Sequence, residues 1–253
     1  MVLTPRRKMR DVLVFTPVLR LEPETTQALF ALEWEGSLTF LLQRDNPYFK
    51  RVILDRKHTQ TKEEDDQAFA NVLHQYQRGR EMFLNGRYEA MLLIENDIIP
   101  PADTLKRLAA LNADLAYGVY LFRGEEPVVN VLRRYYPWPQ TSRNIGESMS
   151  LHHRLWERAI RQGLTECSGA GLGCVLIKRH VIEEYPFEAP KDRGFFDFEW
   201  GSQVHRAGYK MMADMLVLCG HKGPDGKILR PEKSINHGAT ENTKKNLLVG
   251  EER

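Results

Sequence analysis

The chain has 253 residues with 36 basic and 34 acidic side chains, a formal net charge of +2. That length suits one large α/β domain or two small ones, and the near balance of charge argues against a protein built mainly to coat nucleic acid. No apolar run reaches the ~20 residues of a membrane-spanning helix, and the basic stretch over residues 1–10 is not followed by the apolar core and cleavage site of a secretory leader.

Residues 11–16 read as a buried strand that Pro17 ends. Helix formers follow over 24–35, with Leu29, Phe30 and Leu32 available to a core. A second strand is predicted over 37–43, closed by Arg44-Asp45-Asn46-Pro47. Residues 55–66 are charged and polar, a loop or a frayed helix start. Apolar spacing at Phe69, Leu73, Tyr76 and Phe83 predicts a helix over 67–84, stopped by Asn85-Gly86. Then come a strand over 90–94, a helix over 103–111 and a strand over 115–121. Strands alternating with helices imply a mostly parallel sheet covered on both faces.

Residues 122–149 read as a long irregular loop containing Arg133-Arg134-Tyr135-Tyr136-Pro137-Trp138-Pro139. A helix is predicted over 151–162, and a glycine turn at 168–173 feeds a strand over 174–177. Short helices follow over 179–185 and 195–207, the second closed by Gly208. The last strand is predicted over 215–219, and the end, 224–253, is polar with little periodicity. Cys167, Cys174 and Cys219 are odd in number and lack C-x-x-C spacing, which predicts free thiols in a reducing cytoplasm.

Three stretches carry chemistry. Ile94-Glu95-Asn96-Asp97-Ile98-Ile99-Pro100-Pro101 places two carboxylates at the end of an apolar strand. Alternate residues of an extended segment share a side, so Glu95 and Asp97 are expected to converge on one hard divalent cation, the usual partner of a diphosphate. The plain alternative is a solvated strand end. Phe196-Asp197-Phe198-Glu199-Trp200-Gly201 sets carboxylates among aromatics, where burial raises a carboxylate pKa and makes a usable base. Its plain alternative is a helix cap at Asp197. His221 follows a strand between glycines, where its side chain can reach a site, although a lone histidine is more often surface or core. His58, His74, His152, His153 and His205 read as surface. The glycines of 168–173 lie late and open a strand, so they are not the dinucleotide-binding turn. They read as a close backbone approach, or as a surface against a sugar.

In order and spacing these motifs resemble nucleotide-sugar glycosyltransferases with the GT-A fold, family 2 above all. Residues 94–101 resemble the D-x-D element with its i-x-P, with Glu95 in place of the first Asp. Residues 171–179 resemble the stretch G-x-G-x-x-l-I-r-R. Asp197, eleven residues before Gly208, resembles the catalytic acid of E-D-x-D-x-x-x-R-x-x-x-x-G-y, with Phe196 replacing the usual preceding acid. His221, thirteen residues after Gly208, resembles a late metal-binding histidine. The resemblance spans roughly residues 11–221.

It implies a GT-A-like α/β fold over the whole chain, 1–253, with a nucleotide-sugar-binding half at about 11–121, an acceptor half at about 122–221, and a tail at 222–253. Asp97, His221 and Glu95 are then expected to hold Mn²⁺ or Mg²⁺. Thr16, Pro17, Asp45, Asn96 and Gly171 are expected at the donor, although Arg44-Asp45-Asn46-Pro47 lacks the common D-x-S-x-D wording. Arg78 and Arg80 either reach phosphate or are solvated helix charges. Asp197 is expected as the base of an inverting transfer, with Glu199 second or binding the acceptor hydroxyl. The acceptor stays open: a glycan, a lipid-linked group, a small molecule or nucleic acid. Two rivals remain. One is a sugar nucleotidyltransferase, against which the lack of a G-x-G-x-R loop near Thr16 counts. The other is a sugar- or nucleic-acid-binding protein, or a DNA-modifying glycosyltransferase, suggested by the aromatic and basic stretch at 133–143.

Overall fold

The computed structural model describes residues 9–18, 22–43, 62–122, 128–135, 146–148, 163–189 and 196–231. The first half runs β1 (Asp11–Pro17), α1 (Pro23–Phe30), β2 (Ser37–Gln43), α2 (Lys62–Asn85), β3 (Ala90–Ile94), β4 (Ile98–Ile99), α3 (Thr104–Ala110) and β5 (Leu115–Val119). Next come β6 (Val131–Tyr135), β7 (Gly146–Ser148), β8 (Leu164–Glu166), β9 (Gly169–Ala170) and β10 (Cys174–Lys178). The chain closes with α4 (Arg179–Glu184), α5 (Phe196–Arg206), β11 (Met211–Leu218), β12 (Gly220–Lys222) and β13 (Ile228–Leu229).

Seven strands form the central sheet in the order β2-β1-β3-β10-β5-β11-β8. β1 is parallel to β2 and β3, and β5 is parallel to β11. β10 lies antiparallel between β3 and β5, and β8 is antiparallel to β11. Five strands therefore share one direction. The central strands are apolar along their length because both faces are covered. Leu13, Phe15, Met91 and Leu93 face one apolar layer with Tyr76 and Phe83 of α2 and Phe196, Trp200 and Val204 of α5. Val12, Val14, Leu92 and Ile94 face the other, with Leu29 of α1 and Leu105 and Leu108 of α3. No helix among the described residues is long and apolar enough to cross a membrane.

Several expectations shift. α1 ends at Phe30 instead of running to 35: Ala31 and Leu32 donate to Ala28 and Leu29, the tightening of a last turn. The chain must then come back to β1, where the Trp34 indole N–H donates to the Arg10 carbonyl at 3.0 Å and Ser37 N–H does so at 2.9 Å. Phe30 is 65% exposed and leans on Phe40 instead of entering the core. α2 begins at Lys62, and Phe69 on it is exposed while Tyr76 and Phe83 are buried. The stretch 122–149 is not wholly irregular, since β6 pairs with both β7 and β9. β11 begins four residues before the predicted strand, at Met211, and the tail adds β13 beside β12. The helix predicted over 151–162, His58, His152, His153, the stretch from Tyr136 to Trp138 and the tail beyond 231 lie outside the described residues.

Candidate functional site

The chain goes from β1 outward to β2, then crosses back to place β3 on the other side of β1. Such a reversal opens a crevice beyond the carboxyl ends of the two strands, where ligands of open α/β sheets bind. Thr16 and Pro17 end β1 and Glu95 follows β3, so the acidic stretch lies at this crevice. The Thr16 hydroxyl is buried and has no hydrogen-bond partner among the described residues, an orphan that a ligand can satisfy.

The acidic stretch is a turn. Ile98 N–H donates to the Glu95 carbonyl at 3.0 Å, and β3 stops at Ile94. The alternation expected of an extended segment therefore does not apply, and the two carboxylates part. Glu95 Oε1 accepts a hydrogen bond from the Tyr76 hydroxyl of α2 at 2.9 Å. Asp97 faces His221 instead, with Oδ2 at 3.4 Å from Nε2. Non-local pairing brings this about: β12 lies antiparallel to β4, with His221 opposite Ile98, and Lys222 N–H donates to the Asp97 carbonyl at 2.8 Å. The Lys222 ammonium pins the same strand to the start of α1, at 2.8 Å from Glu22 and 2.6 Å from Glu24.

His221 Nδ1 lies 2.6 Å from the Leu121 carbonyl oxygen, which only accepts, so Nδ1 carries the hydrogen. Nε2 then faces Asp97, and a histidine whose Nδ1–H is already bonded to a carbonyl has the outer hydrogen bond usual for a metal-binding histidine. The 3.4 Å separation is longer than the ~2.8 Å of a charge-assisted hydrogen bond. It matches two ligands on one cation, about 3.0–3.4 Å apart for bonds of about 2.1 Å. Among the described residues no three His, Cys, Asp or Glu side chains gather as a metal group. Of the three residues expected at the cation, Asp97 and His221 face each other and Glu95 bonds Tyr76. A pair still fits Mg²⁺ or Mn²⁺, which bind through one or two protein groups and take their other ligands from substrate phosphate and water.

Asp197 sits in the first turn of α5 with Phe196 and Phe198 buried on either side. Burial raises its carboxyl to about 6, against hydrogen bonds from the backbone N–H groups of Phe198, Asp197 itself and Leu172 that hold it down. The residue as a whole is half-buried. Two of those N–H groups belong to the first turn of α5, so the carboxylate serves the helix start as the plain reading expects. Glu199, two residues on, is turned roughly 200° around the helix and does not share its direction.

Two buried tyrosines show that these carboxylates are neighbours. Burial, then the charges of Glu95 and Asp197, push the hydroxyls of Tyr76 and Tyr120 well above their ordinary value, and Asp97 also acts on Tyr120. The Tyr120 ring stands edge-on to His221 at 5.4 Å and to Phe122 at 5.6 Å, and Phe122 meets Phe198 at 6.0 Å. Gly171 and Gly173 are glycine because a Cβ on either would strike Tyr120, and one on Gly171 would also press on Phe122. Gly171 thus serves the aromatic wall by close packing, while Leu172 between the two glycines donates to Asp197. Gly173 joins the parts, donating its N–H to the Tyr120 hydroxyl at 3.1 Å and accepting from Glu95 N–H at 3.0 Å.

Asn96 is half-buried in the acidic turn, and Asp45 lies outside the described residues. Arg78 and Arg80 are not at the crevice: Arg78 pairs with Glu81, and Arg80 donates to the carbonyls of Ile182 and Glu183 at the end of α4. Tyr76 reads in the sequence only as a core position of a helix, and Tyr120 and Asn130 carry no site signal there. Tyr76 carried a signal, since a tyrosine in a buried helical stripe needs a partner for its hydroxyl. Asn130 is fully buried, accepting from Tyr120 N–H at 3.0 Å and donating to the Gly118 carbonyl at 3.1 Å, so it completes the end of β5 as a missing strand would.

No family model matches the chain, and no curated protein matches it. Solved structures do. One described as "Crystal Structure of A197 from STIV" superposes with a TM-score of 0.51 at 18% identity, covering 88% of this chain and 94% of that one. At that identity the likeness concerns the fold alone.

Proposed function

We propose that the chain is a metal-dependent glycosyltransferase of GT-A type that moves a sugar from a nucleotide-diphosphate sugar to an acceptor hydroxyl with inversion. The observation that carries the reading is the placement of two unlike groups around one tyrosine pair. In this reading the Asp97–His221 pair, 3.4 Å apart, takes the diphosphate side, and Asp197, whose charge also acts on Tyr120, takes the acceptor side. Thr16 and Pro17, which end β1 at the switch crevice, take the nucleotide end of the donor in this reading. Asp97 and His221 would hold Mn²⁺ or Mg²⁺. When bound, that ion neutralises charge gathering on the leaving diphosphate.

The protein's own share is positioning and proton transfer. The acceptor oxygen attacks the anomeric carbon as the bond from that carbon to the diphosphate oxygen breaks, and Asp197 takes the acceptor's proton. A carboxyl at about 6 is mostly ionised at neutral pH yet basic enough to share a proton in the transition state. Phe122, half-buried and backed by the buried Tyr120 and Phe198, offers apolar area to a sugar ring.

The test is a donor screen with Mn²⁺. Release of a nucleoside diphosphate from one nucleotide sugar, lost in Asp97→Asn, supports the reading. Pyrophosphate release from a nucleoside triphosphate plus a sugar phosphate, with nucleotide sugars inert, replaces it with a nucleotidyltransferase.

A further inference from the structure

β12 is three residues long, and its ladders are short. Gly220 and His221 pair with Ile99 and Ile98 of β4, and His221 and Lys222 pair with Leu229 and Ile228 of β13. On this strand the His221 ring lies 2.6 Å from the Leu121 carbonyl and 3.4 Å from the Asp97 carboxylate. Lys222, the next residue, holds the strand in two ways. Its backbone N–H donates to the Asp97 carbonyl at 2.8 Å, and its ammonium lies 2.8 Å from Glu22 and 2.6 Å from Glu24. Only 13% of the Lys222 side chain and 8% of the Glu22 side chain meet solvent. Loss of the ammonium would strip Glu22 of a cation in a place where water replaces it poorly. Glu22 leads into α1, the helix that follows β1, so one side chain ties the strand bearing His221 to the lip of the crevice where Thr16 and Pro17 end β1.

We infer that Lys222 is a positioning residue whose ion pairs with Glu22 and Glu24 hold β12 so that His221 and Asp97 meet one cation together, an inference that rests on the metal reading given above. A functional group of a site must be held within about 0.5 Å of its working place, and ladders of two residue pairs on either side of β12 give little stiffness of their own. Those ladders stay when the ammonium is removed, so the strand loosens instead of coming free and the cation binds less tightly. Lys222 is not a catalytic residue, since it acts through its strand.

The experiment measures Mn²⁺ binding to the full chain by electron paramagnetic resonance of the free aqua ion, with Mn²⁺ alone and with pooled ADP, GDP, UDP and CDP. The His221 ring is followed separately by ¹⁵N NMR of the metal-free protein. Lys222→Met keeps the apolar stem and removes the charge. It is expected to weaken Mn²⁺ by about tenfold and to replace the single Nδ1–H tautomer of His221 by a mixture. Glu22→Gln combined with Glu24→Gln, which removes the other side of the same pairs, is expected to do likewise. Lys222→Arg keeps a cation between the two carboxylates and is expected to stay within about threefold of wild type. Unchanged or tighter Mn²⁺ binding in Lys222→Met overturns the inference, and so does a loss that Lys222→Arg does not recover. If Lys222→Met does not fold, Glu24→Gln decides: weakened binding supports the inference and wild-type binding overturns it. Wild-type protein that binds no Mn²⁺ overturns the metal reading itself, and the His221 tautomer in Lys222→Met then decides whether Lys222 positions that ring.

Discussion

Asp197 is asked for two things that oppose each other. Packing among Phe196, Phe198 and the glycine loop raises its carboxyl from 3.8 to about 6, which suits a base and costs the fold. The folded state holds its proton more tightly than the unfolded chain does. Its contribution to stability is therefore complete below the unfolded pKa and is lost as pH rises through about 6, a difference of about 3 kcal/mol between acid and neutral solution. Asp197→Asn removes the charge and keeps an oxygen for the N–H donors. Turnover is expected to fall by roughly two to four orders of magnitude. Stability at neutral pH is expected to rise by about 1–3 kcal/mol in urea unfolding, with the gain shrinking as pH is lowered toward 4. In the wild type, kcat/KM is expected to decline on the acid side with a midpoint near 6. A variant that loses turnover and stability together would mark the residue as a cap alone.

The elements that make the site are short and irregular: one turn, one glycine loop, one three-residue strand. Gly173 shows how tightly they interlock, because its two backbone groups bond Tyr120 and Glu95 while its missing Cβ leaves room for the Tyr120 ring. An alanine Cβ there would lie 2.8 Å from that ring. Gly173→Ala is expected to cost about 1–3 kcal/mol in urea unfolding, the range for overpacking a close-fitted interior. Much of this arrangement could be read from the residues. β3 and β1 announce themselves as apolar runs ended by turn residues, and α5 is bracketed by an acidic first turn and by Gly208, whose φ of +86° is the left-handed conformation of a helix stop. Alternation misled at Glu95 and Asp97 because it holds only while the chain stays extended, and the Ile98-to-Glu95 bond ends that one residue past β3. The union of Asp97 with His221 depends on β12 pairing with β4 across more than a hundred residues of chain, and local periodicity carries no trace of such a contact. Asn130 was hidden for the same reason: its partners are the backbone of Tyr120 and Gly118, and backbone has no sequence signature.

At the scale of the molecule, the site gathers groups from both layers of the sheet. Tyr76 and α5 belong to one apolar layer, and Tyr120, with the end of β3, belongs to the other. β10 runs antiparallel between β3 and β5 and delivers the glycine loop at its start to the carboxyl ends of both neighbours. A ligand seated there touches pieces fixed to opposite faces, so its binding energy is spread over the whole fold. Binding to the native state alone adds RT ln(1 + [L]/Kd) to stability, about 2.7 kcal/mol when ligand stands at 100 times its Kd. For a chain of 253 residues each kcal/mol moves the midpoint by roughly 2–4 °C, so the cognate nucleoside diphosphate with Mn²⁺ is expected to raise Tm by about 5–10 °C. Chelation with EDTA is expected to remove most of that rise, and Asp97→Asn most of it as well, because in the proposed function the diphosphate and the cation bind as a unit. Magnesium is expected to substitute with a smaller shift, its demand for near-ideal octahedral geometry being harder to meet from one carboxylate and one imidazole. A rise that survives EDTA would place the nucleotide at the crevice without the cation and would leave Asp97 and His221 as an internal hydrogen-bonded pair. No rise with any nucleoside diphosphate, in protein that still unfolds cooperatively, would remove the donor site from this crevice.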